Sequence, residues 1–325
     1  MTRHPFRTGG DRKPALDLVS YGRRGRGRPE RFAPEQVAQI ARTVRRAPEV
    51  MVKVSGGGNS LVAVAAHFRY ITREGTLELE TDDGERVAGS GVARDLVDDW
   101  DLEIDVAIDR WERMTGGRRA CTAKLVHNIV LSMPAGTSPE KLLAASREFA
   151  REEFAVQHRY ALVLHTDQDH PHVHLVVSAH KREGGRLNIR KADLRRWREQ
   201  FARQLRGQGV EANATPAQVR GRLADHPRDG AYWAGQRGAL RPEGSQRRRK
   251  LQPASLGRII DTAERVQGDW SATARTLEAQ GQRELAWEVE QFRQGLRIPI
   301  TRRERDAASS AAPEDRSRRQ LDLLR

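Results

Sequence analysis

Tyr160-Ala-Leu-Val-Leu-His165, Thr166-Asp-Gln-Asp-His-Pro171 and His172-Val-His-Leu-Val-Val-Ser-Ala-His180 run on from one another, and their reading decides the fold. The first segment is rich in β-formers, the third alternates as a strand, and the polar, proline-closed segment between them is a turn. Side chains two apart on a strand share a face, so His172 and His174 project together, and an antiparallel partner ending at His165 brings a third imidazole beside them. One histidine on a strand is ordinarily just a polar residue. Three in an H-x6-H-x-H pattern, with two aspartates in the turn, read as a metal site that keeps an open coordination position. Mg²⁺ or Mn²⁺ is the expected ion, with Zn²⁺ an alternative.

Outward from the hairpin, 325 residues leave room for one large domain or two. Only 37% of the chain is hydrophobic and 31% is charged, which suggests a compact core joined to solvated segments. A formal net charge of +14 points to an anionic polymer, most simply nucleic acid, whose phosphates bind through counterion release. The single Cys121 excludes an intramolecular disulfide and a multi-cysteine zinc site, and fits a reducing cytoplasm. With no long apolar run and no apolar leader core, the sequence reads as soluble, without membrane attachment.

In chain order, residues 1–48 read as a basic flexible arm with Arg-Gly repeats and a short helix near its end. A strand at Val50–Ser55 and the loop Gly56-Gly-Gly-Asn59 lead to a helix, about Ser60 to Arg73, capped at Asn59 or Ser60. Its apolar face carries Leu61, Val64, Ala65 and Phe68. At about 100° per residue Tyr70 points nearly opposite Leu61, where packing does not explain an aromatic, so its phenol is a candidate reactive group. A strand at 76–80, a helix from Val92 to about Met114 and a strand at Lys124–Ser132 follow. The next helix opens with a capping box from Thr137 to Glu140.

After the hairpin, a helix from about Ala192 to Arg206 buries Leu194, Trp197, Phe201 and Leu205 and leaves Arg195, Arg196 and Arg198 as candidates for phosphate contact. The nuclease-sized segment is therefore 49–220, followed by a basic linker at 221–254, a helical segment at 255–300 and a polar tail at 301–325.

A three-histidine cation site beside a tyrosine, in a basic chain, suggests phosphoryl transfer to the phenol oxygen with a covalent phosphotyrosine intermediate. A phenol is a weak nucleophile at neutral pH, so a nearby cation is required.

Three motifs carry a resemblance to a known family. They are Gly56-Gly-Gly58 with His67-Phe-Arg-Tyr-Ile-Thr-Arg-Glu-Gly75, Ile129-Val-Leu-Ser-Met-Pro-Ala-Gly-Thr137, and the histidine hairpin. In this order, over about residues 50–220, the chain resembles the conjugative relaxases, or plasmid mobilisation nucleases, of the VirD-type branch of the HUH endonucleases. The resemblance implies an α+β fold, with an antiparallel β-sheet, the paired histidines on a central strand and flanking helices, extended here by the basic arm and a helical C-terminal segment.

The same resemblance implies a metal-dependent, site- and strand-specific endonuclease and strand transferase. The enzyme would nick single-stranded DNA at an origin of transfer, leaving a 5′-phosphotyrosyl link and a free 3′-OH. The nucleophile falls on Tyr70, a DNA-holding serine on Ser132, and the metal ligands on His165, His172 and His174. Either Asp167 or Asp169 orients a ligand or accepts the tyrosyl proton. His170 becomes turn structure or second support for the ligands, and His127 either faces the site or is a core histidine.

Relaxosome accessory proteins and a type IV coupling protein are the implied partners. The implied location is the bacterial cytoplasm, with passage of the protein into a recipient cell along with the strand. The basic arm is longer than a minimal nuclease needs, and the C-terminal portion is too short for a helicase or primase. Two other readings are a DNA-binding accessory protein with an inactive metal site, and a metal-dependent nuclease that uses water.

Overall fold

The computed structural model describes residues 31–104, 106, 107, 114, 123–221 and 253–296, with the backbone alone for 253–258. The described residues fall into two compact units, one within Arg46–Ala214 and one formed by those described within Met1–Arg45 and Thr215–Arg325.

The first unit is built on a six-stranded sheet of β1 (Met51–Gly56), β2 (Leu79–Thr81), β3 (Arg86–Val87), β4 (Val126–Ser132), β5 (Tyr160–His165) and β6 (His172–Ser178). The order is β1-β4-β6-β5-β2-β3 and every pairing is antiparallel. The strand carrying His172 and His174 is therefore central, as expected. Its odd-numbered residues Val173, Leu175 and Val177 face a core shared with α4 (Pro139–Phe154) and α5 (Lys191–Gly207), where Phe149, Phe154, Trp197 and Phe201 meet edge to face. The opposite side of the sheet, which carries the even-numbered residues of β6, packs through Val126, Ala161, Val163 and Val176 on α2 (Leu61–Ile71) and α3 (Val92–Asp99). Because both faces are covered, β5 and β6 are apolar on both sides except at the end where the histidines stand.

Local chemistry sets the boundaries. Ser60 caps α2, its hydroxyl accepting from the Ala63 amide at 3.3 Å. The cap of α4 is Ser138, not Thr137: the Ser138 hydroxyl accepts from the Lys141 amide at 3.2 Å and Pro139 opens the first turn, while Thr137 donates to the Pro134 carbonyl at 2.9 Å.

The helix expected from Val92 to Met114 is interrupted. Its first segment ends at Asp99, Trp100 turns inward onto Phe68 with ring centroids 5.5 Å apart, and Asp101 adopts φ +52° before helical backbone resumes at 102–104. The strand expected from residue 76 starts only at Leu79. The chain between Thr72 and Leu77 is wound into tight turns, with Arg73 and Glu74 both at positive φ.

In the second unit α1 (Pro34–Val44) joins α6 (Pro253–Ala279) and α7 (Arg283–Gln294) around Ile40, Val219, Val266, Trp270, Leu277 and Val289. Gln280 and Phe32 exchange two hydrogen bonds at 3.0 and 3.1 Å, and Arg45 grips Glu288 at 2.9 and 3.0 Å. The end of the segment read as a flexible arm thus holds a helix packed on the C-terminal helices. Residues 1–30, the basic linker from 222 to 252 and the polar tail lie outside the described residues. Among those described, no helix is long and apolar enough to cross a membrane.

Gly75 closes the turns after α2 at φ +87°, and a Cβ there would stand 2.1 Å from the Gly89 carbonyl oxygen, which belongs to the residue whose amide donates to Gly75 at 2.8 Å. Gly75→Ala is expected to destabilise the fold by about 2 kcal/mol or more, read as a lowered urea midpoint at unchanged slope.

A second expectation concerns pH. Burial holds the imidazoles of His158 and His127 below their usual range, and His158 Nδ1 lies 2.9 and 3.1 Å from the carbonyls of Ser178 and His180, to which it donates while neutral. A folded value below the unfolded one means that the unfolded chain takes up protons first as pH falls. The stability these groups contribute is therefore present above about pH 6.5 and is lost as pH falls toward the depressed folded values. Urea unfolding between pH 7.5 and 5 should show that loss, with a shallower slope in His158→Gln.

Candidate active site

The register of the hairpin makes the histidine cluster. His165 lies directly opposite His172, and His174 follows two residues on, so all three leave the same face of the sheet. Their ring centroids are 5.1, 4.5 and 5.1 Å apart, and one ring nitrogen from each lies within 4.8 Å of the others.

Backbone carbonyls orient two of these rings. His165 Nε2 is 2.6 Å from the Ile71 carbonyl oxygen, the last of α2, so Nε2–H donates there and Nδ1 keeps its lone pair. His172 Nδ1 is 3.2 Å from the His170 carbonyl oxygen and donates to it, which leaves Nε2 as the donor atom. His174 Nδ1 is buried with no hydrogen-bond partner. A buried ring nitrogen without a partner, among three imidazoles and no thiolate, fits a divalent cation.

Burial, followed by the positive charge His165, His172 and His67 would carry, pushes the His174 imidazole down to about 3. His165 is also lowered, by burial first and then by His172 and Arg73, against the Ile71 carbonyl and Asp167. Both rings are therefore neutral at pH 7 and available as ligands.

Tyr70 stands beside this cluster. It is 58% exposed on the polar face of α2, as its helical position predicts, and its ring centroid is 6.4 Å from that of His174, edge-on at 88°. Asp167 forms an ion pair with Arg73, and its Oδ1 is 3.8 Å from His165 Nδ1. Burial is the largest single influence on that carboxyl and opposes ionisation. The hydrogen bond and charge of Arg73 outweigh it, so Asp167 is held below the usual carboxylate range.

The remaining candidates divide. Ser132 lies across β4 from His172, buried, with its hydroxyl 3.3 Å from the Pro171 carbonyl oxygen to which it donates. His170 accepts the Ala135 amide at 2.9 Å and so ties the turn to the chain after β4, while Asp169 is exposed in that turn.

His127 does not join the cluster. It is opposite Val177 on the register, one step out of phase with the ligands, and points to the other face. Arg195, Arg196 and Arg198 belong to α5, which packs on that other face too. Arg196 is held by Glu153, with one contact at 2.6 Å, and Arg198 donates to the Val52 carbonyl at 3.3 Å, while Arg195 is exposed.

Two residues at the site carry no role in the sequence reading. His67 lies one helical turn before Tyr70, its ring centroid 6.4 Å from Tyr70 and 6.3 Å from His174. The i, i+3 spacing was the available signal. Arg73, three residues after Tyr70, places its guanidinium carbon 5.4 Å from the centroid of the tyrosine ring.

Residues 70–210 match the family model described as relaxase, MobA/VirD2-like, nuclease domain. Over 148 residues the chain is 32% identical to the T-DNA border endonuclease VirD2 of Rhizobium rhizogenes and equally to that of Agrobacterium fabrum, covering 41% of this chain and 31% and 30% of those proteins. The T-DNA border endonuclease VirD2 of Rhizobium radiobacter is 30% identical over 141 residues, 41% of this chain and 32% of that protein. The match thus spans less than a third of the relatives' length. A solved structure titled "Molecular Basis of Vancomycin Resistance Transfer in Staphylococcus aureus" aligns at 14% identity over 52% of this chain and 98% of its own, with a TM-score of 0.32, too low to argue from.

Removal of one ligand should weaken Mn²⁺ binding by about 100-fold, in line with the losses seen even for groups that only support ligands. Calorimetric titration of His172→Ala should show that loss, and His127→Ala should bind Mn²⁺ like the parent.

Proposed function

We propose that this chain, which carries a relaxase nuclease domain of the MobA/VirD2-like kind, cuts one strand of DNA at a specific site by attack of Tyr70 and later reseals it. The observation that carries the reading is the exposed Tyr70 ring, 6.4 Å from His174, at a three-histidine site on elements distant in sequence. An exposed aromatic costs a soluble helix some solvation and gains it nothing in packing, so its place at the ligand cluster calls for a chemical explanation.

The reaction assigned to it is balanced. A bond forms between the Tyr70 oxygen and phosphorus as the bond from phosphorus to the 3′ oxygen breaks, and the phenol proton passes, in net, to the departing 3′ oxygen. The product is a 5′-phosphotyrosyl link and a free 3′-OH, and the reverse attack by that hydroxyl rejoins the strand. His165, His172 and His174 would hold a divalent cation, which would supply Lewis-acid polarisation of a non-bridging phosphate oxygen. His165 and His172 keep their ligand nitrogens in place through the carbonyls of Ile71 and His170. Single-stranded DNA at an origin of transfer is the substrate, and accessory and coupling proteins that bring it there are the partners.

The test does not require the nick site to be identified in advance. Single-stranded fragments of the DNA element that encodes the protein are incubated with it and Mg²⁺, Mn²⁺ or Zn²⁺, and strands that remain attached after denaturation are sequenced. One recurrent 5′ end is expected, with adduct reduced by about 10³-fold or more in Tyr70→Phe while Mn²⁺ affinity is retained. Cleavage that persists in Tyr70→Phe would assign the chemistry to water, and binding without cleavage under all three ions would leave an accessory protein.

A further inference from the structure

We propose that Arg73 is the guanidinium clamp for the phosphodiester at this site, aimed by its ion pair with Asp167. The proposal rests on the strand-transfer reading for which phosphate is attacked, but not for the binding of phosphate itself.

Three observations converge on it. First, Arg73 spans the two halves of the site: its guanidinium carbon is 5.4 Å from the centre of the Tyr70 ring, and its Nη2 is 3.5 Å from His165 Nδ1, the ligand nitrogen. A phosphorus within reach of both the phenol oxygen and the histidine cluster is therefore within reach of this cation. Second, one edge of the fork is committed and the rest is not. Nη2 serves Asp167 and His165, whereas no hydrogen bond among the described residues uses Nε or Nη1. Three N–H donors are left on a side chain 37% exposed, a geometry that matches two oxygens of a phosphate.

Third, the backbone places the side chain there at a steric cost. Arg73 and Glu74 both occupy the left-handed region, φ +51° and +56°, where residues with a Cβ are rare. The arrangement is held by the Glu74 amide on the Arg69 carbonyl at 2.9 Å and the Leu77 amide on the Thr72 carbonyl at 2.9 Å. On the helix surface residue 73 already neighbours Tyr70 at i, i+3 spacing, and the backbone reversal leaves its guanidinium over the tyrosine ring. On this view Asp167 is a positioning residue, since its carboxylate holds the guanidinium rather than standing free to take the phenol proton.

The contrast with the other arginines sharpens the assignment. Arg196 and Arg203 face carboxylates of Glu153 and Glu152 on the opposite side of the sheet, and Arg147 and Arg159 are bound to Glu80 and Asp82. Among these, Arg73 is the one whose paired guanidinium stands next to the ligand set.

The test uses thymidylyl-(3′→5′)-thymidine, which carries one phosphodiester and no nick site, titrated by calorimetry into the full chain carrying Tyr70→Phe with Mg²⁺ present. Adding Arg73→Gln should weaken its binding by about tenfold or more. Arg73→Lys should recover only part of that, because the charge returns without the fork. The neutral methylphosphonate analogue should bind the Tyr70→Phe chain no better than the diester binds the Arg73→Gln chain. Far-UV circular dichroism unchanged in both Arg73 variants excludes a folding defect. Equal binding of the diester by Tyr70→Phe and its Arg73→Gln derivative, or of the diester and its methylphosphonate, overturns the clamp.

In the otherwise unaltered chain, adduct formation on the strand recovered by sequencing should fall by about 10²-fold in Arg73→Gln. An unchanged rate would also overturn the clamp while leaving strand transfer intact. Discrimination of the dinucleotide by Arg73 in a protein that forms no adduct with any strand retains the clamp and removes strand transfer.

Discussion

In the pairing of β5 with β6, His165 stands across from His172 and Val163 across from His174, and everything else at the site depends on that register. Alternation along a strand has a period of two, so a slip of one residue would turn His172 and His174 into the layer formed by Phe149, Trp197 and Phe201, and would expose Val173 and Leu175 on the ligand side. Each of those displacements opposes the slip, one by burying imidazoles among aromatics and the other by removing aliphatic side chains from the core. The apolar residues of the hairpin therefore specify the metal site indirectly, by making only one register compatible with a packed core on both faces.

The second dependence runs through the end of α2. A helix leaves its last carbonyls without intrahelical partners, and the Ile71 carbonyl finds His165, 94 residues away in sequence. That one hydrogen bond satisfies a helix end, fixes the tautomer of a ligand and locks the element bearing Tyr70 to the strand bearing the histidine. Phe68 and Val64, buried one and two turns earlier on the opposite side of the helix, hold the same relationship from below through Trp100 and the sheet. Tyr70 and the histidine cluster are thus set against each other by packing and by a polar contact at once.

What was legible in the sequence follows from what is local. The alternation of β6 and the three-residue pattern of α2 exposed the histidine pair, the sheet face and the outward position of Tyr70, because each depends on a fixed angular period. The stretch from Asn59 to Ser60 marked a helix start, whereas the cap of α4 falls on Ser138, one residue past the Thr137 expected. His127 escaped, since its face depends on how the phase of β4 continues through pairing with β6, and that is decided by the partner strand. The α5 arginines were legible as a charged surface, but the carboxylates that occupy Arg196 and Arg203 come from α4, about fifty residues away in sequence, so no window on the helix itself reveals them. For Arg73 the i, i+3 spacing to Tyr70 was readable as it was for His67, but the Asp167 carboxylate that holds its guanidinium lies 94 residues on, and the left-handed backbone at 73 and 74 is held by hydrogen bonds back to α2.

The division of the basic residues between the two faces carries a further consequence. Two of the basic residues of α5, Arg196 and Arg203, are paired with glutamates of α4, which ties that helix pair together behind the sheet. A polyanion approaching the ligand face instead meets Lys53 on β1, one strand beyond Val130 in the row that includes His174, and then Arg69 and Arg73 around the exposed end of α2. On the strand-transfer reading, phosphate contacts to these cations would position a strand across the histidines without reading its sequence, and base discrimination would have to come from other side chains. The exposed apolar residues Val62 and Met51 lie on those same two elements and offer surface on which an unstacked base can rest. On that reading affinity and selectivity would be separable on this face, the first carried by the charges on α2 and β1 and the second by neutral side chains.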